Sequence, residues 1–383
     1  MKKCIALVLA AFSATPSHAT PLTDIFDSFF VLGDSLSDNG NTATLVGRIA
    51  AQPDNAPQVN FRPPAFAQQP GVSSDGPTWA AGFVSDFEAA GKTAENLSFG
   101  SAWASDNGVG PPDLADQIAA ADSFDTTFSF YPGALDAFKI SGIAPKYPDG
   151  GGGLKSRLSD PDERELITVF TGGNDFLGAA FEIATRPEDS QEILSNTVLN
   201  TFTSVTQNVE DLFISQGVND FVIMNVPDFA VIPRFNDPTD PLAFALGLGL
   251  SDAAQSYNAL LFGTETTPGY VDSLRLRGAS VTEVDIFSLL SDPAAIASAG
   301  ENIDAMNACT VVAQTQSLAD CSNFLFWDEI HPTMVGHSLI AQATRESLGQ
   351  TYGLQPVPLP APALMLLTAL GGLAVFRRRR QRA

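Results

Sequence analysis

The chain has 383 residues and carries 43 acidic against 20 basic side chains, a formal net charge of −23 with histidine neutral. That balance disfavours nucleic acid and anionic membrane faces as partners. It reads as a solvated acidic surface and names no substrate.

Residues 1–19 read as a secretory signal: Lys2 and Lys3, an apolar run from Cys4 to Phe12, then Ser17-His18-Ala19 as a small-x-small cleavage site. The body, residues 20–355, alternates strand and helix patterns. Strands are expected at 28–32, 94–99, 166–171, 221–225 and 280–284. A helix is expected between the third and fourth strands, where Leu194, Val198, Phe202, Val205, Val209 and Leu212 recur at the spacing of one buried face. Further helices are expected at 251–262, 270–277 and 334–348, the last capped by Thr333. Strands separated by helices imply parallel pairing, hence an α/β fold. The long connections 47–78, 106–161 and 227–250 are expected to overhang the sheet and set specificity. Among 27 phenylalanines, Phe61, Phe66, Phe99 and Phe176 are candidates for an acyl pocket, any one of them as readily core.

The first chemical signal is FFVLGDSLSDNGN, residues 29–41. A serine where a strand meets a turn and then a helix exposes its hydroxyl, and its N–H points with the helix N-terminus toward developing negative charge. Alone, Gly-Asp-Ser reads equally as a helix cap. The second signal is VFTGGNDFLG, residues 169–178, where Asn174 follows a buried strand and a Gly-Gly turn and its amide can donate to an oxyanion. Asp175 reads as a turn or helix-start residue. The third is FLFWDEIHPT, residues 324–333. Asp328 and His331 are three residues apart, close enough for the carboxylate to hold the ring, and Pro332 biases His331 toward an extended bend. A serine hydrolase needs such an imidazole and a carboxylate to fix its tautomer. His337 reads as an ordinary polar residue of a helix.

Together these segments resemble the SGNH superfamily of hydrolases, also called GDSL esterases/lipases. The resemblance implies a three-layer α/β/α sandwich, flavodoxin-like, with about five parallel strands. It implies Ser35 as nucleophile, His331 as base and Asp328 as its orienter. It places the oxyanion donors at the Ser35 N–H, the Asn174 amide and a backbone N–H in NLSFGSA, residues 96–102. There the family's second glycine is replaced by Ser101, so Gly100 and Ser101 both remain candidates. MNVPDF, residues 224–229, is similar to a family segment after the fourth strand. A carboxylic ester hydrolase follows, with small-molecule, lipid or acetylated-glycan esters as substrates. An acyltransferase on the same residues and a non-catalytic surface binding protein stay open. No Walker loop, strand-following G-x-G-x-x-G, HExxH or CxxC pair is present, so no cofactor and no metal are expected.

Cys309 and Cys321 form an even pair in an exported chain and are expected to bridge. Residues 356–383 carry VPLPAPALMLLTALGGLAVFRRRRQRA, similar to the VPLPA variant of the PEP-CTERM sorting signals of Gram-negative bacteria. That resemblance implies signal peptidase and an exosortase-type enzyme as processing partners, with delivery to the cell surface or exterior. A plain membrane-spanning anchor is the alternative. Seven basic residues and no acidic ones lie in the two terminal segments, so the body carries 13 basic against 43 acidic residues, formally −30. A monomer is expected.

Overall fold

The computed structural model describes residues 20–51, 71–106, 111–128, 140–158, 160 and 162–354. The expected signal segment and C-terminal sorting segment lie outside them, as do Phe61 and Phe66. Among the described residues no helix is long and apolar enough to cross a membrane.

In chain order the strands are β1 (Ser28–Gly33), β2 (Thr93–Asn96), β3 (Ser123–Phe128), β4 (Ile140–Pro145), β5 (Glu165–Phe170), β6 (Asp220–Met224), β7 (Ser280–Val284), β8 (Asp304–Ala308) and β9 (Phe324–Phe326). The helices are α1 (Asn41–Ala50), α2 (Ala81–Ala89), α3 (Leu114–Ile118), α4 (Gly173–Thr185), α5 (Ser190–Ser215), α6 (Pro241–Phe262), α7 (Tyr270–Leu276), α8 (Ile286–Leu289), α9 (Pro293–Ala299), α10 (Cys309–Val312) and α11 (Met334–Tyr352).

Five strands form a parallel sheet in the order β2-β1-β5-β6-β7. Counted along the chain within this sheet the order is 2-1-3-4-5, the flavodoxin-like arrangement. Its direction of winding reverses between β1 and β5, and the carboxyl ends there open a crevice. Strands β1 and β6 are buried along their whole length and β5 along all but its first residue, as expected for a sheet covered on both faces. On one side α2 and α11 pack together, with the Arg345 guanidinium 4.3 Å over the Phe83 ring and bonded to Asp86 at 2.8 Å. Helices α3, α5 and α6 belong to the other side, where α5 turns Val198, Val205, Val209 and Leu212 inward.

Several expected boundaries move, those of β2 and α6 among them. β2 ends at Asn96 instead of residue 99, although the Leu97 and Phe99 N–H groups still donate to the Val31 and Gly33 carbonyls (2.8 and 3.2 Å), and the Asn96 side chain is tied to its surroundings. Its amide donates to the Ser37 carbonyl (2.6 Å), while its oxygen accepts the Ser98 N–H (3.1 Å). α6 starts at Pro241, ten residues before the expected start, capped by the Asp240 carboxylate on the Ala243 N–H (3.1 Å). Its opening turns, LAFALGLGL, are apolar all round and carry glycines, so no single-face period marks them. Gly247 is required there, since a Cβ would lie 2.6 Å from that of Phe235.

Outside the main sheet, β3 and β4 form an antiparallel pair within the second long connection, and β8 pairs in parallel with β9. Cys309 and Cys321 are disulfide-bonded. Phe324 and Trp327 pack on the bridge, just upstream of the Asp-x-x-His bend.

Candidate active site

Ser35 lies two residues beyond β1. It sits in one helical turn, closed by the Ser37 and Asp38 N–H groups donating to the Asp34 carbonyl (3.0 and 2.9 Å). α1 begins only at Asn41, so the serine occupies an isolated turn and not the helix N-terminus that its sequence suggested. Asp38 causes the separation. Its carboxylate accepts the N–H groups of Gly40 (2.7 Å), Asn41 (2.7 Å) and Thr42 (3.2 Å) and so caps α1 downstream. Gly33 must be glycine, because a Cβ would lie 2.4 Å from the Phe170 carbonyl oxygen on β5.

The far end of the chain meets this turn. From β9 the chain bends through Asp328, and the bend is fixed by backbone bonds. The Asp328 Oδ1 accepts the N–H of Ile330 (2.8 Å) and of His331 (2.6 Å). The Trp327 N–H donates to the His331 carbonyl (2.8 Å). Thr333 caps α11 as expected, accepting the Gly336 N–H (3.3 Å) while its hydroxyl donates to the Phe324 carbonyl (2.7 Å). The loop before α2 braces the bend from outside. Ser74 donates to the Pro332 carbonyl (3.1 Å), and Asp75 accepts the Met334 N–H (2.6 Å).

These constraints bring the His331 Nε2 to 2.9 Å from the Ser35 Oγ across 296 residues of chain. The other ring nitrogen, Nδ1, faces both Asp328 oxygens at 2.9 and 3.0 Å. Burial opposes the imidazolium, but the Asp328 charge and hydrogen bond, with Asp34 behind them, raise the His331 pKa above its ordinary 6.5. Burial likewise acts against the Asp328 anion. His331 and the two backbone N–H groups outweigh it and hold that carboxyl below its usual range. Asp34 is different. Burial lifts its carboxyl to about 7, although the Leu36 N–H and the His331 charge favour the anion.

Asn174 is the second residue of α4, after Gly172 at a left-handed φ of 111°. One of its amide N–H groups donates to the Ala102 carbonyl (2.8 Å). Gly100 runs beside Ser35, where an added Cβ would lie 3.8 Å from the serine Cβ. The Gly100 N–H is engaged by the Asp38 Oδ2 (2.8 Å). Ser101 takes a left-handed φ of 64°. Asp175 is a helix-start residue, as expected, and also a buried tie. It accepts the N–H groups of Ala104 (2.8 Å) and Ser105 (3.1 Å) and the Ser105 hydroxyl.

Ser35, His331 and Asn174 line a narrow slot of about 30 Å³. Its walls are apolar, built from Leu36, Leu177, Phe229, Ile232, Phe326 and Ile330. Phe99 and Phe176, suggested for an acyl pocket, are core residues at 0% exposure. Phe176 stacks on Phe229, which carries the wall in its place. Pro227 and Asp228 of MNVPDF also reach the slot.

Two residues escaped the sequence reading. The Gln117 side chain of α3 accepts the Gly33 N–H and donates to the Gly33 carbonyl, both at 2.8 Å. It thereby holds the last peptide of β1, just before the serine. A lone glutamine in a five-residue helix carries no signal of this. His337 is fully buried with neither ring nitrogen hydrogen-bonded. Burial and the nearby His331 charge depress its pKa to about 3, so it is a neutral packing group and not the ordinary polar residue expected.

Comparison with known proteins places the chain at the level of family. The family model described as GDSL-like Lipase/Acylhydrolase matches residues 29–344. A GDSL esterase/lipase of Arabidopsis thaliana is 25% identical over 222 residues, 53% of this chain and 57% of that protein, so the chain matches little more than half of its curated relative's length. Among solved structures, the lipase Lip_vut3 from a goat rumen metagenome aligns over 84% of this chain and 96% of its own, at 11% identity and a TM-score of 0.37. The acetylxylan esterase Axe2 from Geobacillus stearothermophilus aligns over 84% and 94%, at 12% identity and a TM-score of 0.32. Likeness this distant says nothing of substrate. The family match, by contrast, covers most of the chain and spans every motif of the site: the chain belongs to the GDSL-like lipase/acylhydrolase family.

Proposed function

We propose that this chain hydrolyses carboxylic esters through an acyl-enzyme on Ser35. The observation that carries the reading is the line Asp328–His331–Ser35, with 2.9 Å at each link. His331 takes the Ser35 proton as the oxygen attacks the ester carbonyl carbon. Asp328 holds the Nδ1–H tautomer and supports the imidazolium. The tetrahedral intermediate collapses, and His331 returns the proton to the departing alcohol. A water molecule, deprotonated by His331, then attacks the acyl-enzyme and releases the acid.

The oxyanion falls to the N–H groups of Ser35 and Ser101 and the free amide N–H of Asn174. Ser101 is preferred over Gly100 because the Gly100 N–H is already bound to Asp38. Export belongs to the same proposal. The Cys309–Cys321 bond and the signal-like first 19 residues support an oxidising compartment. Ser35→Ala should lower turnover of p-nitrophenyl acetate by several orders of magnitude. A rate near that of the parent protein in pure, folded Ser35→Ala material would remove the reading.

A further inference from the structure

Two clefts flank α4, and they differ in chemistry. The larger, about 560 Å³, lies toward α5. It is lined by polar groups, among them Glu182, Arg186, Glu192 and Asn196, and shares no residue with the slot at Ser35. The smaller, about 380 Å³, lies between α4 and the first turns of α6. Leu177 and Ile330 line both this cleft and the slot, so the two adjoin at these side chains.

The smaller cleft is apolar along its length. α4 supplies Leu177, Ala180, Phe181 and Ala184, which is one face of two helical turns, roughly 10 Å long. α6 supplies Leu242, Ala243 and Leu246, and Phe235 completes the lining. Its two charged residues are engaged elsewhere. Arg234 pairs with Glu329 at 3.7 Å, and Asp240 caps α6. Leu242 is left 61% exposed at the rim.

We propose that this cleft takes the acyl chain of the ester, and that the preferred substrates are medium-chain fatty-acyl esters. The proposal rests on the catalytic reading of Ser35 and adds its substrate class. Direction follows from α4 itself. A carbonyl oxygen held by Asn174 sets the substituent of its carbon against Leu177, three residues along the same helix and at the mouth of the cleft. The volume accommodates on the order of ten water-sized groups, and a methylene is of that size. The slot at Ser35 admits only a narrow chain, which suits an unbranched alkyl group. Ile330 is bonded to Asp328 through its N–H (2.8 Å), so the cleft wall and the acid of the triad are held together.

The test is a series of p-nitrophenyl esters from acetate to decanoate, with a second series that varies the alcohol at constant acetate. For the parent protein kcat/KM should climb by about fourfold per methylene from butyrate to octanoate. Ala184→Trp, at an exposed position of the far end, should cut decanoate turnover about tenfold relative to acetate turnover. Leu242→Asp should act in the same direction. A profile that falls beyond butyrate would overturn the proposal. So would equal loss of acetate and decanoate turnover in both variants, or a gain that follows alcohol length. Acetate hydrolysis that survives Ser35→Ala would remove the catalytic reading and this proposal with it. Ser35-dependent acetate hydrolysis with a flat acyl profile would remove this proposal alone.

Discussion

Asp328 directs both its oxygens at one imidazole and takes two backbone N–H groups besides. That concentration of partners keeps the carboxylate ionised and the ring more basic than a free histidine. A general base works only when neutral, so kcat/KM should rise with pH along a limb centred above 6.5. Asp34 adds a smaller contribution to that basicity when ionised, its own carboxyl being lifted to about 7 by burial. Asp34→Asn should therefore move the limb to lower pH, measurable in the kcat/KM profile of a short ester. An unmoved limb would show that Asp34 does not reach His331 electrostatically. Ser101 offers a second residue-level test. Its left-handed φ of 64° disfavours a side chain, by roughly 1 kcal/mol relative to glycine. Ser101→Gly should raise stability by about that amount in denaturant titration and keep activity, since the backbone N–H survives. At this scale the sequence was most legible where chemistry is local. Ser35, Asn174 and the Asp328–His331 pair each announce themselves within a few residues. Gln117 does not, because its role depends on a contact 84 residues away.

Among the elements, the cores of β1, β5 and β6 were legible because continuous apolar runs leave little choice, whereas β3, β4, β8 and β9 were not expected. Helix ends were decided by side chains such as Asp38 and Asp240, which compete for backbone groups. The early turns of α6 were missed for want of a helical period, and they build the apolar cleft. The short helix α3 buries Leu114 and Ile118 in the core and reaches β1 through Gln117. Gln117→Leu takes the partner from the Gly33 N–H, while the Gly33 carbonyl keeps the Phe99 N–H, and should cost about 1–3 kcal/mol of stability. It should also lower kcat on short esters, as the turn bearing Ser35 loses its anchor. Loss of stability with kcat intact would confine Gln117 to a structural role. In α11, His337 makes acid stability a test of burial. The unfolded histidine takes a proton below about 6.5, whereas the native one does so only near 3. Stability is thus complete above 6.5 and lost on acidification between those values, by up to 1.36 kcal/mol per pH unit. His337→Leu should flatten that acid slope in unfolding titrations while costing little at neutral pH, because it removes two unpaired ring nitrogens.

For the whole molecule, topology accounts for what no local pattern could. The 2-1-3-4-5 order sets β1 beside β5, which brings Ser35 and Asn174 to one crevice at the reversal point. The β9–α11 bend then delivers His331 from the far end of the chain. Parallel pairing was legible from alternating strands and helices. The meeting of residues 35 and 331 was legible only through family resemblance, since sequence separation carries no distance. Charge acts at this scale too. A body of 13 basic and 43 acidic residues repels itself. Raising ionic strength from about 0.01 M to 0.15 M shortens the screening length from about 30 to 8 Å. The melting temperature should rise over that range.

The account turns on Ser35 being activated by His331, and mass-spectrometric mapping of a fluorophosphonate adduct reads that activation directly. The expected result is one adduct, on the peptide carrying Ser35, in the parent protein, and none in folded His331→Ala. An adduct on another serine, or equal labelling of Ser35 without His331, would contradict it.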